Sequence, residues 1–262
     1  MWEIRDKNIW ITGASSGVGQ ALVKLLVKRN NFIIVSSRSR TKLLELQMLA
    51  PTRIRVLDCD VGNDEDMVRA QRALSELTDQ LDLVIACAGT CEYDDGLQLD
   101  IASYRRVFDA NFFGVVNTLR LALPHLARAM SPAQKPVFAA VGSLSSVVGF
   151  PRAEAYGASK AALGYFLDAV RADTSRVALS IVHIRPGFVD TPLTSTNDFS
   201  MPFLMSPESA AERILSGLEA GHKQIDFPRR LSLPLRFLGF FRTLWFRFCA
   251  PKITRIYKLR FH

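Results

Sequence analysis

The sequence has no CxxC pair and only four cysteines, Cys59, Cys87, Cys91 and Cys249, at spacings that fit no disulfide framework. Cys87 and Cys91 have no histidine near them, and His125, His183, His222 and His262 are scattered, so no metal site is expected. Reduced thiols in a cytoplasmic protein are the expectation instead. The opening, Met-Trp-Glu-Ile-Arg-Asp-Lys, alternates charged and apolar residues and matches neither a secretory signal nor a transit peptide. In the Leu- and Phe-rich stretch 231–250, which Arg236, Arg242 and Arg247 interrupt, no uncharged run approaches the roughly 20 residues that a spanning helix needs. Residues 1–228 lack repeats, low-complexity segments and Gly/Ser-rich linkers, and read as one domain. Acidic residues are missing beyond residue 228. Nine of the 33 Lys and Arg lie there, so residues 1–228 carry 24 bases against 25 acids and the net charge of +8 belongs to the tail, 229–262. Any anionic partner is therefore expected at the tail and not on the body.

What is present is a chain of 262 residues, 48% of them hydrophobic, enough to bury a sizeable core. Short apolar, β-branched runs recur at 8–12, 32–37, 54–57, 83–86, 137–141 and 179–184, with a further short strand expected at 224–227. Stretches of helical period lie between them, at 19–28, 67–77, 104–130 and 155–172. This alternation predicts an α/β fold, a doubly wound parallel sheet covered by helices on both faces. Runs such as Ile33-Ile34-Val35 and Leu83-Val84-Ile85 are continuous because strands of that kind are buried on both sides. Ligands are expected at the carboxyl ends of the strands.

The first strand is followed by Thr12-Gly13-Ala14-Ser15-Ser16-Gly17-Val18-Gly19. Glycines at a strand-to-helix turn let the backbone approach a ligand, and the free N–H groups at the helix start attract a pyrophosphate. The same stretch contains G-x-S-x-G, the nucleophile elbow of serine hydrolases. An elbow this early leaves only one strand before it, which disfavours the hydrolase. The second strand ends in Ser36-Ser37-Arg38-Ser39-Arg40, where an acid would hold the ribose hydroxyl of NAD. Arg38, beside Ser37 and followed by Arg40 and Lys42, suits the 2′-phosphate of NADP.

Tyr156 and Lys160 stand at i and i+4, on one face of an expected helix. A nearby ammonium favours the phenolate and brings the tyrosine closer to the operating pH for proton transfer. Ser143 ends a buried strand thirteen residues earlier, and Asn111 places an amide inside a long apolar helix, where it needs partners.

Taken together these motifs resemble the short-chain dehydrogenase/reductase family across residues 7 to about 227. Residues 12–19 match its cofactor turn, Asp60-Val61 its adenine contact, and Cys87-Ala88-Gly89 its N-A-G element, with cysteine where asparagine is usual. Asn111, Ser143, Tyr156 and Lys160 match its catalytic tetrad, and Arg185-Pro186-Gly187-Phe188-Val189-Asp190-Thr191 its P-G-x-x-x-T segment. The resemblance implies a Rossmann-like sheet of about seven strands and an NADP(H)-dependent hydride transfer between nicotinamide and a carbonyl or alcohol. In it, Gly13, Ser15, Ser16, Gly17, Val18 and Gly19 bind the cofactor together with Ser37, Arg38, Asp60 and Val61. Cys87, Ala88 and Gly89 form part of the cofactor wall, and Pro186, Gly187, Val189 and Thr191 lie beside the nicotinamide. Tyr156 is implied as general acid/base and Lys160 as its pKa-lowering partner and ribose ligand. Ser143 would orient the reacting oxygen, and Asn111 would hold a water in the proton relay. Cells keep NADPH reduced, so carbonyl reduction is the expected direction. The family often forms homo-oligomers through its long fourth and fifth helices. The alternative function is a non-catalytic NADP(H)-binding regulatory module of the same fold.

The tail departs from the family's compact pattern. Residues 231–250 are rich in Leu and Phe, and an amphipathic helix is expected there with Pro234 and Pro251 marking its ends. At about 100° per residue, Phe237, Leu238, Phe241, Leu244, Trp245 and Phe248 fall on one arc, with Arg236 and Arg247 nearly opposite. Such a helix suits an anionic membrane surface, the alternative being packing on the domain or across a dimer with the arginines reaching outward. One-sided aromatics fit lipid better than nucleic acid, which is not expected as a partner. A membrane-docked enzyme with an apolar 194–207 segment, where the family keeps its substrate lid, points to a lipophilic substrate.

Overall fold

The computed structural model describes residues 2–94, 97–131 and 134–254; Arg255, Lys258, Arg260 and His262 of the tail lie outside them. Among the described residues seven strands form one sheet: β1 (Asn8–Thr12), β2 (Phe32–Ser36), β3 (Ile54–Val56), β4 (Leu83–Ala86), β5 (Val137–Val141), β6 (Ser180–Pro186) and β7 (Gln224–Phe227). Every pairing is parallel, in the order β3-β2-β1-β4-β5-β6-β7. The expected doubly wound, Rossmann-like α/β sheet is therefore present. The order reverses between β1 and β4, where Thr12 is in register with Ala86. A crevice at this switch point, outside the carboxyl ends of the strands, is where such sheets bind ligands.

The continuous apolar runs resolve into two faces because successive strand side chains point oppositely. Ile9, Ile11, Ile33, Val35 and Ile85 join one core, and Trp10, Ile34, Val84 and Phe138 join the other. The first core is closed by α1 (Gly17–Leu26), α2 (Arg40–Gln47) and α7 (Pro207–Glu219). The second is closed by α3 (Asp64–Leu77), α5 (Gly114–Ala129) and α6 (Glu154–Asp173). Helix starts are chemically marked: Asn63 accepts the N–H of Asp66, Asp100 those of Ala102 and Ser103, and Ser206 that of Ser209.

Two expectations about elements need correction. The stretch 104–130 is not one α-helix. It begins earlier, as α4 (Ile101–Phe108), because Asp100 caps it, and a wide π-helical turn over Asp109–Phe113 separates it from α5. The tail is not one helix either. After α8 (Arg229–Phe240) the chain leaves helical geometry at Phe241 (φ −101°, ψ 62°), then continues through short turns to Ile253. Pro234 lies inside α8, and Pro251 opens the last turn, so neither bounds a single helix.

The break divides the expected arc. Leu231, Leu235, Leu238, Trp245, Cys249 and Ala250 pack with Leu144, Val147, Val148 and Phe150 in a third, smaller core. Phe237, Phe241, Leu244 and Phe248 remain exposed. Among the described residues, the segment 229–254 is thus fastened to the domain by one side. No helix among the described residues is long and apolar enough to cross a membrane.

Candidate active site

The turn after β1 occupies the switch point. Gly13 (φ +66°) and Gly17 (φ +52°) adopt left-handed backbone that glycine tolerates, and a Cβ on Gly17 would come within 2.8 Å of the Thr191 methyl. The backbone N–H groups of Ser15, Ser16, Gly17 and Val18 have no acceptor among the described residues, and Ser16 makes no side-chain cap on α1. Four unsatisfied donors at a helix start form an anion cradle, and they fit the pyrophosphate of a dinucleotide. Helix α1 begins at Gly17, two residues before the periodicity suggested, so Gly17, Val18 and Gly19 are its first turn.

Cys87 lies just past the end of β4. Burial pushes its thiol up to about 11, while the N–H of Gly19 donates to the sulfur. The cysteine that replaces the usual asparagine therefore still ties the glycine turn to the neighbouring strand end. Thr12 Oγ1 accepts the N–H of Ala88 at 3.4 Å, a second stitch between the same segments.

At the far end of the crevice, Arg38 is exposed and has no ion-pair partner among the described residues, whereas Arg40 is engaged by Asp58 at 2.5 Å. Ser37 Oγ accepts the N–H of Ser39 and shapes the turn that presents Arg38. Asp60 is held by its own N–H on Asp66 (2.8 Å) and by Gly62, whose N–H donates to Oδ1 at 3.0 Å. Val61 is buried, and its carbonyl accepts from Asn117 at 3.1 Å.

Tyr156 and Lys160 project from the first turns of α6. The Lys160 ammonium lies 5.9 Å from the centre of the Tyr156 ring and donates to the Val141 carbonyl at 2.8 Å. Burial lowers Lys160 to about 8. Tyr156 is moved the other way: burial raises its phenol well above the usual range, Cys91 adds to that, and a hydrogen bond with Ser143 draws it back. Burial outweighs any depression of the phenol here, and the Lys160 ammonium is directed at the Val141 carbonyl. Ser143 caps the short turn Leu144–Ser146, accepting the N–H of Ser145 at 3.1 Å.

Asn111 sits in the wide turn between α4 and α5 and is fully buried. Its amide donates to the Thr90 carbonyl (2.9 Å) and to Ser159 Oγ (3.0 Å), and Oδ1 accepts the Thr90 N–H at 2.9 Å. Ser159 in turn donates to the Tyr156 carbonyl at 2.8 Å. The asparagine therefore clamps the loop after β4 to the helix that carries Tyr156. After β6, Gly187 donates to Phe227 O (2.7 Å) beside Pro186, and Val189 bridges to Met205. Thr191 closes on Gly17, so residues from β1, β4, β5, β6 and α6 converge at one end of the sheet.

Several residues at this site carry no local sequence signal. Cys91 and Tyr93 follow Gly89. Burial pushes Cys91 up to about 11, and Tyr93 interacts electrostatically with Tyr156. Arg152 (φ +67°) lies over the Tyr93 ring at 5.7 Å and pairs with Asp198 at 2.7 Å, while Phe199 packs edge-on against Tyr93 and Phe188. Their partners are distant in sequence, and no spacing rule joins them.

The profile of the family described as short chain dehydrogenase matches residues 7–200. An uncharacterised oxidoreductase of Myxococcus xanthus is 31% identical over 239 residues, covering 90% of this chain and 93% of that relative. A short chain dehydrogenase from Burkholderia cenocepacia, solved in complex with NADP, superposes with a TM-score of 0.81 at 23% identity, covering 95% of this chain and all of that one (100%). A short chain dehydrogenase/reductase from Burkholderia phymatum, solved in complex with NAD, gives 0.82 at 16% identity, covering 93% and 96%. With the sheet order and the match over most of its length, the chain belongs to the short-chain dehydrogenase/reductase family of oxidoreductases.

Proposed function

We propose that the protein is an NADPH-dependent reductase of a lipophilic carbonyl, with Tyr156 as the proton donor. The observation that carries this reading is the meeting of Tyr156, Ser143 and Lys160 at the end of the sheet that holds the four-donor anion cradle. The bound cofactor supplies the hydride. The residues do the rest. Ser143 Oγ donates to the carbonyl oxygen and fixes its position, and Tyr156 delivers the proton as negative charge develops on that oxygen. Carbon gains the hydride, oxygen gains the phenolic proton, and the alcohol leaves a phenolate that is reprotonated from solvent.

Lys160, buried and charged at neutral pH, opposes the charge left on Tyr156. Arg38 favours the 2′-phosphate, because it is a guanidinium with no ion-pair partner among the described residues at the end of β2, where NAD-binding sites place an acid. The lipophilic character of the substrate is supported by Phe188, Phe199 and Tyr93, whose rings pack against one another on the lid side of Tyr156.

The test is NADPH oxidation over a series of ketones and aldehydes of rising chain length. Tyr156→Phe is expected to lower turnover by roughly 10²–10⁴-fold while NADPH still binds, as read by nucleotide fluorescence. Full activity in that variant sinks the assignment. A chain that binds NADPH but reduces nothing, with Tyr156 intact, favours the regulatory module.

A further inference from the structure

The third core leaves the tail with a second side that nothing among the described residues covers. Phe237, Phe240 and Phe241 form a cluster at the corner where α8 ends. The ring centres of Phe237 and Phe241, and of Phe240 and Phe241, are each 4.9 Å apart. All three are open to solvent, at 58%, 82% and 45% exposure. Phe246 and Phe248, just beyond, are exposed by 54% and 53%. Scattered exposed apolar residues need no explanation, but contiguous aromatic rings on one corner mark a contact surface.

The charges around this corner identify the contact. Arg229, Arg230, Arg236, Arg242, Arg247 and Lys252 are all exposed, and no acid occurs anywhere in 229–262. The rest of the chain is nearly neutral, so the net positive charge of the molecule is carried by this segment. A second copy of the chain would bring its own cations against them. An anionic lipid surface complements both features, taking the rings into the acyl boundary and the guanidinium groups among the headgroups.

The corner is also joined to the active site. Trp245 donates to the Gly149 carbonyl at 2.9 Å and its ring meets Phe150 at 5.0 Å, while Gly239 lies so close to Val147 that a Cβ would come within 2.7 Å of its side chain. Residues 143–152 thus carry Ser143 at one end, the tail in the middle, and at the other end Arg152, which holds Asp198 of the lid.

We propose that the Phe237–Phe240–Phe241 corner docks on an anionic phospholipid bilayer and sets the lid side of the active site beside it, so that the substrate is a carbonyl lipid drawn from that bilayer. The docking stands on the surface alone; the substrate clause rests on the carbonyl-reductase reading.

Sedimentation of the full chain with vesicles separates the two. Phosphatidylcholine–phosphatidylglycerol vesicles are expected to pull the protein down and phosphatidylcholine vesicles to do so much less, with no cofactor or carbonyl present. The Phe237→Ser/Phe240→Ser/Phe241→Ser variant is expected to bind the mixed vesicles roughly tenfold or more weakly, with unchanged thermal unfolding and unchanged turnover of a water-soluble ketone. Tyr156→Phe is expected to sediment like the parent, which keeps docking apart from chemistry. With a long-chain ketone dissolved in the mixed vesicles, the parent is expected to turn over faster than the triple variant. No sedimentation of the parent overturns the proposal, as does equal binding by the triple variant. So does a dimer of the parent that the three substitutions dissolve, since the corner would then be covered by a second copy. Equal turnover of the vesicle-borne ketone by parent and variant overturns the substrate clause alone.

Discussion

Arg38 carries the prediction about cofactor choice. It is exposed at the end of β2 and has no ion-pair partner among the described residues, while its neighbour Arg40 is neutralised by Asp58, so position 38 presents the available positive charge. Arg38→Asp is expected to weaken NADPH binding by roughly tenfold or more and to improve NADH in the same assay, because a carboxylate accepts a ribose hydroxyl and repels a phosphate. An unchanged NADPH/NADH ratio removes Arg38 from the phosphate site. His183 makes a different residue-scale prediction. It is buried on β6, its Nε2 has no hydrogen-bond partner among the described residues, and burial, with Arg185 and Lys160, lowers it to about 4 against the opposing pull of Asp226 and Asp168. The unfolded chain therefore binds a proton here between about pH 6.5 and 4 that the folded chain refuses, so stability falls as the pH drops through that window. The loss is on the order of 3 kcal/mol, to be read from denaturant midpoints at stepped pH. His183→Gln is expected to flatten that part of the profile; an unaltered slope assigns it to other groups.

At the scale of elements, the strands were the most legible part of the chain. Runs such as Ile33-Ile34-Val35 have one reading in a sheet covered on both faces, and the glycine turn after β1 announces the switch point. The candidate site residues were legible as types at fixed spacings, and the structure brings Asn111, Ser143, Tyr156 and Lys160 to the same end of the sheet. The interruption of the long helix was not legible, because apolar periodicity runs on through Asp109–Phe113 and only the bonds of Asn111 explain the wide turn. The break at Phe241 was hidden for the opposite reason. Aromatics occupy so many phases of the tail that a continuous amphipathic arc can be drawn, while the true geometry follows from Gly239 meeting Val147 and Trp245 meeting Gly149. The clamp yields a prediction of its own. Asn111→Ala leaves the Thr90 N–H and carbonyl and the Ser159 hydroxyl short of partners, and is expected to cost about 1–3 kcal/mol of stability and to lower kcat more than it raises KM. A loss confined to stability would leave Asn111 a purely structural clamp.

For the whole molecule, the third core makes the tail a part of the catalytic domain and not an appendage. Leu144 and Val148 are buried in one cluster with Leu235, Trp245 and Ala250. Trp245→Ala is expected to destabilise the protein by about 3–5 kcal/mol and to reduce turnover of soluble carbonyls, since it loosens the segment that begins with Ser143. Thermal unfolding and steady-state kinetics on the same preparation check both halves. Wild-type stability in that variant would make the third core incidental.

The wide turn at Asp109–Phe113 bears on how such a chain tolerates changes in length. A π turn absorbs one extra residue locally, leaving the helices on either side in phase. Removing a residue there lets α4 and α5 join as an ordinary helix with neither flank rotated, yet it takes Asn111 away from Thr90 and Ser159. A deletion at this point would therefore improve the helix and dismantle the site, so the active site is specified by how many residues the chain has between Asp100 and Gly114 as much as by which ones they are.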